Sequence, residues 1–315
     1  MDILMLNETE VQSLLDPEML LDQLSEGFRA QSRGQVNAPK RIEVTVPNTG
    51  LLLAMPAYQQ SREVTVKLVT LFHGNKQLGI PVHQALICLF DPETGTPLSL
   101  MDGTSITALR TAGAAALSTR ILARTDSRVL AIVGAGVQGH AHLLMLPHTR
   151  SFSEIRVASR HFTHAEQLAA IDARARAVET AEEAVRGADV VCLCTNAVEP
   201  VIRLDWLTPG VHVTSVGYAP PGGELDPKVI ASARLFVEAR QAFEPPPAGC
   251  AELAGLDASS GTELGEVLLG QGQGRQSTDE ITVYKAMGHA SEDMVAASLV
   301  YHRAKQEGVG RSVVF

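Results

Sequence analysis

The chain has 315 residues, of which 45% are hydrophobic and 19% are charged, a composition typical of a globular protein of about two domains. Its net charge of −9 excludes a general affinity for nucleic acid or for anionic membranes. No apolar run reaches the ~18 residues that would span a bilayer. The N-terminal stretch MDILMLNETE carries acids where a signal peptide carries bases. We therefore expect a cytoplasmic protein without nucleic-acid or membrane partners.

The four cysteines, Cys88, Cys192, Cys194 and Cys250, are not spaced as metal ligands. Cys192 and Cys194 alternate within the apolar run VVCLC, as small buried residues of a strand do. A zinc site would need two closely spaced pairs of the C-x-x-C type, and the sequence has none. We expect reduced thiols, no structural disulfide and no metal.

The first third of the chain predicts two helices followed by an antiparallel sheet. Apolar residues recur at helical spacing over residues 8–33, and Pro17 breaks the pattern into two helices. The period then changes to two, which is typical of strands. Strands are predicted at residues 41–46, 51–55, 63–70, 85–90 and 97–101. A helix rich in Ala and Gly follows at residues 105–122.

Three basic residues of this region are candidate ligand contacts. Lys67 lies at the centre of the apolar strand VTVKLVTLF, where a buried amine needs an anion or a lowered pKa. The alternative is an edge position with the amine in water. Arg110 interrupts the small residues of the helix, and it could also be an exposed charge. Arg41 alone, on an alternating strand, is more often a solvated charge than a ligand contact.

The stretch VLAIVGAGVQGHAHLLML, residues 129–146, predicts a dinucleotide site. An apolar strand precedes Gly134, Gly136 and Gly139, which have G-x-G-x-x-G spacing, and a helix follows them. The first glycine permits a tight turn, the second lets a pyrophosphate approach the backbone, and the third lets the helix lie close to the strand. A glycine-rich turn without ligand is the alternative, but the strand and the helix on either side favour the nucleotide.

Strands and helices alternate in the rest of the chain, which predicts parallel β/α units. Further strands are predicted at residues 155–159, 189–194, 211–216 and 235–238. A linker rich in Pro, Ala and Gly spans residues 241–260, and a helical pattern covers residues 278–306. The predicted fold class is α/β, with a Rossmann-type doubly wound parallel sheet and a second αβ domain that contains the antiparallel sheet.

The end of the second Rossmann strand selects the nucleotide. An Asp or Glu there would bind the ribose 2′-hydroxyl of NAD, whereas an Arg can pair with the 2′-phosphate of NADP. This strand ends in Ser159 and Arg160, with no acid. NADP(H) is therefore favoured, and NAD(H) remains usable if Arg160 only solvates the strand end.

Five stretches together resemble the ornithine cyclodeaminase/mu-crystallin family. They read MPAY (55–58), LMDG (100–103), ITALRTAG (106–113), VGAGVQG (133–139) and YKAMGHASEDMVAA (284–297). The resemblance implies a substrate and dimerisation domain formed by residues 1–118 and 297–315, and a Rossmann domain of residues 119–296. It also implies a homodimer whose site lies in the cleft between the domains.

The resemblance assigns roles to individual residues. Lys67 matches the active-site lysine of the family, and Arg41 and Arg110 match arginines at the substrate carboxylate. Met55 and Ala219 would also contact the substrate. The glycine-rich motif, the end of the second strand and the resemblance together predict the cofactor contacts, which are Arg110, Thr111, Gly134, Gly136, Val137, Gln138, Gly139, Ser159, Arg160, Gly217 and Gly288.

Two departures from the family pattern bear on the substrate. Ornithine cyclodeaminases have an Asp after the fifth Rossmann strand, where this sequence has Ala219. They also have a Glu two residues before the Met-Pro pair, where this sequence has Leu53. Both carboxylates would serve a second cationic nitrogen or proton transfer from an amine, so their loss argues against ornithine. A shift of the Pro-rich loop that brings Glu224 or Asp226 to the site is the alternative.

The predicted activity is NAD(P)H-dependent reduction of a cyclic ketimine carboxylate, Δ1-pyrroline-2-carboxylate or Δ1-piperideine-2-carboxylate, to proline or L-pipecolate. Alternatives in the same class are an ornithine cyclodeaminase that uses bound NAD, or an alanine dehydrogenase. An alternative of another class is a non-catalytic protein that binds a small molecule and NADP.

Overall fold

The structure is a computed structural model and describes residues 2–314. The chain divides into two compact units. The first contains the residues up to Arg110 and those from His289 onward, and the second is Thr111–Gly288. The expected α/β fold is confirmed.

Nine α-helices lie in the described residues, and local capping accounts for several of their ends. Asn7 and Glu10 form a capping box at the first helix, and Asp16 caps the second just before Pro17, as expected for helix starts. The helices are α1 (Glu8–Leu14), α2 (Pro17–Ser32), α3 (Gly103–Leu122), α4 (Val137–Met145), α5 (Phe162–Ala169), α6 (Ala181–Val185), α7 (Pro227–Ser232), α8 (Leu264–Leu268) and α9 (Ala290–Glu307).

The first unit contains one sheet of eight strands, in the order β16-β1-β7-β6-β5-β4-β2, with β3 also paired to β4. These strands are β1 (Asp2–Leu6), β2 (Val36–Asn37), β3 (Ile42–Val46), β4 (Gly50–Gln59), β5 (Val64–Leu71), β6 (His83–Phe90), β7 (Pro97–Asp102) and β16 (Arg311–Val314). The pairs among β2 to β7 are antiparallel, as the alternating patterns predict. The sheet as a whole is mixed, because β1 pairs with β7 in parallel.

One face of this sheet is covered by helices of the same unit. Helix α9 packs against α2, β4 and β5, and its residues from Ala290 to Val300 are buried. The helices approach closely at Gly27, where a Cβ would lie 3.0 Å from a methyl group of Val295. The side chains of β5 that point toward α9 are therefore buried, and those that alternate with them face outward.

The second unit contains an eight-stranded sheet whose pairs are all parallel, in the order β10-β9-β8-β11-β12-β15-β13-β14. Its strands are β8 (Val129–Val133), β9 (Glu154–Ala158), β10 (Ala175–Val178), β11 (Val190–Leu193), β12 (His212–Ser215), β13 (Arg234–Val237), β14 (Gly261–Glu263) and β15 (Thr282–Lys285). The strand order reverses between β8 and β11. Ligands of open α/β sheets bind at the carboxyl ends of the strands at such a switch point.

The predicted helical pattern over residues 278–306 is wrong in its first part. Residues 282–285 form strand β15, and α9 starts only at Ala290. Thr282, Val283 and Tyr284 favour a strand, and they are fully buried between β12 and β13. Gly288 then adopts a φ of +82°, which interrupts the chain before the helix.

The unit boundaries lie eight residues before those expected, at 110/111 instead of 118/119 and at 288/289 instead of 296/297. The first lies inside α3, where periodicity continues without a signal. The second lies just before α9, and the helical pattern predicted for residues 278–306 ran across it. Within residues 2–314, no helix is both long and apolar enough to cross a membrane.

Candidate active site

Lys67 is buried on the inner face of β5. Its side chain is 2% exposed, like its neighbours Thr65 and Val69 on the same face. Its Nζ lies 2.6 Å from Oδ2 of Asp293 in α9. The edge position in water that the sequence left open is therefore wrong, and the amine has the anion that burial requires.

Two carboxylates from the first turns of α9 hold Arg110 in place. Asp293 Oδ1 accepts a hydrogen bond from Arg110 Nε at 2.9 Å, and Glu292 Oε2 accepts one from Nη1 at 3.1 Å. The other oxygen of Glu292 accepts from the backbone N–H of His289, which completes the capping box of α9. All of these side chains are buried. Arg110 is thus part of a buried ion cluster and not an exposed helix charge.

Burial and neighbouring charges set the protonation of this cluster. Burial is the main cause that lowers the pKa of Lys67 to about 8; Arg110 and Arg41 lower it further, and Asp293 opposes the fall. Burial acts to raise the pKa of Asp293, but Arg110 and Lys67 hold that pKa below its ordinary value. Near neutral pH, Lys67 is therefore a protonated amine that can release its proton.

Two neutral imidazoles and Arg41 complete the surroundings. Burial, and then Lys67 and Arg110, lower the pKa of His83 to about 4. Burial, and then Arg41, lower the pKa of His289 to about 4. Arg41 is half-buried, and its charge reaches both Lys67 and His289.

The cluster brings basic side chains from several elements together. Lys67 and Arg110 pair with the carboxylates of Asp293 and Glu292, and the charge of Arg41 reaches Lys67. A guanidinium group can bind a carboxylate with two hydrogen bonds. Met55 lies beside Lys67 in the sheet register and is buried, which gives the site an apolar wall.

The glycine-rich turn of the second unit has the geometry of a dinucleotide site. Gly134 has a φ of +111°, and a Cβ on it would lie 2.3 Å from the carbonyl oxygen of Cys194. A Cβ on Gly139 would lie 2.1 Å from the carbonyl oxygen of Gly134. A Cβ on Gly136, in contrast, would meet no protein atom within 4 Å. The outer glycines are needed for packing, and Gly136 leaves open space in front of the turn.

The start of α4 is suited to an anion. Gly136 is its N-cap and offers no side chain to the first N–H groups, and Val137 is exposed. Uncapped N–H groups and the helix dipole bind phosphate. Ser159 and Arg160 follow β9, which lies next to β8, and Arg160 is exposed. Gln138 lies in the first turn of α4 and is half-buried. These residues fit the phosphates of a nicotinamide dinucleotide.

The remaining predicted residues lie at the ends of strands or on buried elements. Gly217 and Ala219 follow β12, Gly288 follows β15, and Thr111 is buried in α3. The sequence also left open that Glu224 or Asp226 supplies the missing carboxylate. Asp226 caps α7 by accepting from the backbone of Lys228.

Glu224 is occupied as well. Its carboxylate accepts four hydrogen bonds, from Thr195 N and Oγ1, Ser215 Oγ and Gly217 N. Both acids are therefore engaged in contacts within the protein. Leu53, at the other departure from the family pattern, is buried in β4.

Sequence reasoning missed the acids of α9. Glu292 and Asp293 were part of a family landmark, but no role was predicted for them. An acidic pair in the first turn of a helix signals a cap. Only the packing of α9 on β5 shows that the same pair neutralises Lys67 and Arg110.

Comparison with known proteins identifies the family. The sequence profile described as "Ornithine cyclodeaminase/mu-crystallin family" matches residues 1–308. The chain belongs to the ornithine cyclodeaminase/mu-crystallin family. Within it, the chain is 38% identical to ketimine reductase mu-crystallin of Mus musculus over 304 residues, which cover 94% of this chain and 96% of that protein.

Two solved structures of the family are similar along the whole chain. The Δ1-pyrroline-2-carboxylate reductase of Thermococcus litoralis, in complex with NADH and L-proline, has a TM-score of 0.92 and 31% identity, and the match covers 99% of this chain and 100% of that one. An archaeal alanine dehydrogenase dimer with bound NAD has a TM-score of 0.92 and 29% identity, with full coverage of both chains.

Proposed function

We propose that this NAD(P)H-dependent oxidoreductase of the ornithine cyclodeaminase/mu-crystallin family reduces the C=N bond of a cyclic ketimine carboxylate. The substrates are Δ1-pyrroline-2-carboxylate or Δ1-piperideine-2-carboxylate, and the products are proline or L-pipecolate. The observation that carries the proposal is the buried amine of Lys67, which pairs with Asp293 and lies within reach of the charges of Arg110 and Arg41. Such a site can bind a carboxylate and offer one proton.

The arginines orient the substrate. Arg41 is the half-buried cation of the cluster, and its guanidinium can grip a carboxylate with two hydrogen bonds. Arg110 is fixed by Asp293 and Glu292, so its charge stays in place while the substrate enters. No second carboxylate stands at Leu53 or Ala219, which suits an apolar ring better than a chain with a second amine.

Lys67 supplies the proton that the reaction needs. A ketimine carbon accepts hydride readily only when its nitrogen is protonated, and a nicotinamide cofactor supplies that hydride when bound. The pKa of Lys67 is about 8, so the amine is charged near neutral pH and gives up its proton easily. Asp293 holds the amine in one position, and the buried surroundings exclude competing water.

We propose NADP(H) as the preferred cofactor. The uncapped N-terminus of α4 would hold the pyrophosphate, and Ser159 and Arg160 would hold the 2′-phosphate at the end of β9. Arg160 is exposed, and β9 ends without an acid. NAD(H) lacks the 2′-phosphate and would lose these contacts, but it would keep those of the glycine-rich turn.

We also propose a homodimer formed by the outer face of the sheet in the first unit. Register pairing places Ile42, Ala54, Leu68 and Leu86 in one row across four strands. Ile42 is 61% exposed and Leu86 is 50% exposed. A continuous exposed apolar face is typical of a protein interface, and a second copy offers the same face under two-fold symmetry.

The first experiment follows the absorbance at 340 nm with Δ1-piperideine-2-carboxylate or Δ1-pyrroline-2-carboxylate, with NADPH and NADH in parallel. We expect turnover of the imine and a preference for NADPH. Release of ammonia from ornithine, without net NADH formation or imine turnover, would contradict the proposal. Nucleotide binding without turnover of any imine or amino acid would instead indicate a binding protein.

Alanine dehydrogenation is a second candidate, favoured by the similarity to the archaeal alanine dehydrogenase. The same Lys67 would then act as a base on the amine, and one carboxylate would again be bound. Net formation of NADH from alanine and NAD, at a rate above that of imine reduction, would favour this activity.

A further inference from the structure

The loop after β12 is held by a buried network of charged residues. Residues 217–222 contain Gly217 and Ala219, which we expect to contact cofactor and substrate. Both backbone polar groups of Gly217 are hydrogen-bonded. Glu224 accepts from its N–H at 2.6 Å, and Lys285 Nζ donates to its carbonyl oxygen at 2.7 Å.

Glu224 joins two loops of the sheet edge. One oxygen accepts from Thr195 N and Oγ1, each at 2.7 Å, and the other accepts from Ser215 Oγ and Gly217 N. Four bonds fill the acceptor capacity of an ionised carboxylate. Thr195 follows β11 and Gly217 follows β12, so one buried side chain fixes both connections.

Lys285 holds the same loop from the neighbouring strand. It is the last residue of β15 and is fully buried. Its Nζ also donates to Ser215 Oγ at 3.1 Å and forms an ion pair with Glu252 Oε2 at 2.8 Å. A Cβ on Gly223 would lie 2.1 Å from the Glu252 carboxyl carbon, so Glu252 contacts the far end of the loop.

A buried ion pair is not needed for stability alone, because apolar residues of similar volume often serve as well. The position of this network suggests another role. The strands β11, β12 and β15 are neighbours, and their carboxyl ends share the edge where doubly wound sheets bind ligands. Gly217 also lacks room for a side chain, since a Cβ would lie 2.6 Å from Thr195 O and from the Glu224 carboxyl carbon.

The two halves of a dinucleotide would use different parts of this edge. The glycine-rich turn and Arg160, at the ends of β8 and β9, would hold the adenosine half. The residues that follow β11 and β12, across the switch point, would then hold the nicotinamide half. The network would therefore act on the nicotinamide side, and the proposed adenosine contacts lie outside it.

We infer that Glu224 and Lys285 are positioning residues that fix the Gly217 peptide and thereby the nicotinamide ring. This inference rests on the proposed dinucleotide-dependent function. It predicts that changes at the two residues disturb the nicotinamide half of the cofactor and leave the adenosine half bound. A general role in folding would not produce this difference. The loop connections after β11 and β12 should move together when either residue is changed.

The test uses Glu224→Gln in the full chain, with Asp226→Asn as the matched control. Gln keeps the size of Glu, but its NH₂ group would face a backbone N–H of Thr195 or Gly217. Asp226 is two residues away and caps α7 by accepting from the backbone of Lys228, and Asn caps a helix as well as Asp. Binding of NADPH and of its fragment 2′-phospho-ADP-ribose is measured by calorimetry, and the nicotinamide fluorescence of bound NADPH is recorded.

We expect Glu224→Gln to bind the fragment as the wild type does, while the fluorescence of bound NADPH changes. Imine turnover should fall about 10- to 100-fold, the cost of a reacting group displaced by about 1 Å. Asp226→Asn should match the wild type in all readings. Lys285→Met removes the hydrogen bond to the Gly217 carbonyl oxygen. This variant should also bind the fragment as the wild type does, while the fluorescence of bound NADPH changes.

Unchanged fluorescence and turnover in both variants would overturn the inference. Loss of fragment binding in both variants would also overturn it, because it would show that the network only stabilises the fold. The fluorescence needs no imine, so it tests the inference even if the wild type reduces none. A wild type that binds NADPH without reducing any imine would refute the proposed function alone.

Discussion

Lys67 combines two properties that a catalytic acid needs, a fixed position and a pKa near the working pH. Asp293 provides the position through an ion pair of 2.6 Å. Burial and two neighbouring arginines lower the pKa to about 8, against an ordinary value of 10.5. A surface lysine would stay charged well above that pH and would transfer its proton less readily.

The pH dependence of imine reduction follows from this pKa. The proposed mechanism requires the protonated form of Lys67, so the rate of reduction should be constant below about pH 8 and fall as the pH rises through about 8. The reverse oxidation needs the neutral amine and should rise through the same pH. Initial rates in both directions between pH 6 and pH 10 test this sign.

Lys67→Arg should keep a positive charge but lose the ability to donate a proton, because the guanidinium does not deprotonate in this pH range. We expect kcat/KM for the imine to fall at least ~100-fold, the usual scale for a positioned acid. The fall of the reduction rate near pH 8 should disappear as well. Wild-type turnover in Lys67→Arg would remove Lys67 from the mechanism.

Arg160 should determine the choice between the two nucleotides. Arg160→Ala removes a charged partner of the 2′-phosphate, so KM for NADPH should rise about 10- to 100-fold, and KM for NADH should stay unchanged. Arg203→Ala is the matched control, since Arg203 is an exposed arginine of the same unit that pairs with Asp205. An equal effect on both nucleotides would contradict the 2′-phosphate role.

At the scale of elements, the acids at the start of α9 both cap the helix and pair with the basic residues of the site. Glu292 caps the helix and bonds Arg110, and Asp293 holds Lys67 and Arg110 together. Lys67 shares its buried face of β5 with Thr65 and Val69. The sequence placed Lys67 only at the centre of an apolar strand. It could not show what covers that face, because the partner lies more than 200 positions away in the sequence.

Asp293→Asn should affect both stability and the pH profile. Breaking a buried ion pair by removing one partner costs about 3–5 kcal/mol, so the midpoint of thermal unfolding should fall. Asp293 acts to raise the pKa of Lys67, so the decline of imine reduction should move to lower pH in the variant.

Asp22→Asn, an exposed acid on α2 of the same unit, is the control and should change neither quantity. An unchanged pH profile in a destabilised Asp293→Asn would limit Asp293 to a structural role.

At the scale of the whole molecule, the proposed dimer interface is the outer face of the first sheet. Leu86→Glu places a charge in the apolar row, and two-fold symmetry repeats the change on both subunits. With about 1.5–3 kcal/mol lost per leucine, the Kd of the dimer should rise at least ~100-fold. Sedimentation or light scattering over a concentration series measures this.

Ile171→Glu, at an exposed apolar position of the second unit, is the matched control. It should leave the oligomeric state unchanged. A dimer of wild-type affinity in Leu86→Glu would place the interface elsewhere.

The sequence by itself determined the local features of this protein. The glycine-rich turn at Gly134 to Gly139, the break at Pro17 and the alternation of β3 to β7 depend on neighbouring residues, and so periodicity and turn chemistry reveal them. The resemblance to the family assigned roles to Lys67, Arg41 and Arg110. The same reasoning misplaced β15, because buried apolar residues next to a helix extend its pattern.

Only the tertiary structure decided which distant residues meet. The pairing of Lys67 with Asp293, and the bonds of Glu224 and Lys285 to the Gly217 peptide, join residues from different elements. Burial makes these contacts consequential, because a charge removed from water must find its partner within the protein. The lowered pKa of Lys67 is therefore a property of the fold, since it depends on burial and on the side chains of Asp293, Arg110 and Arg41.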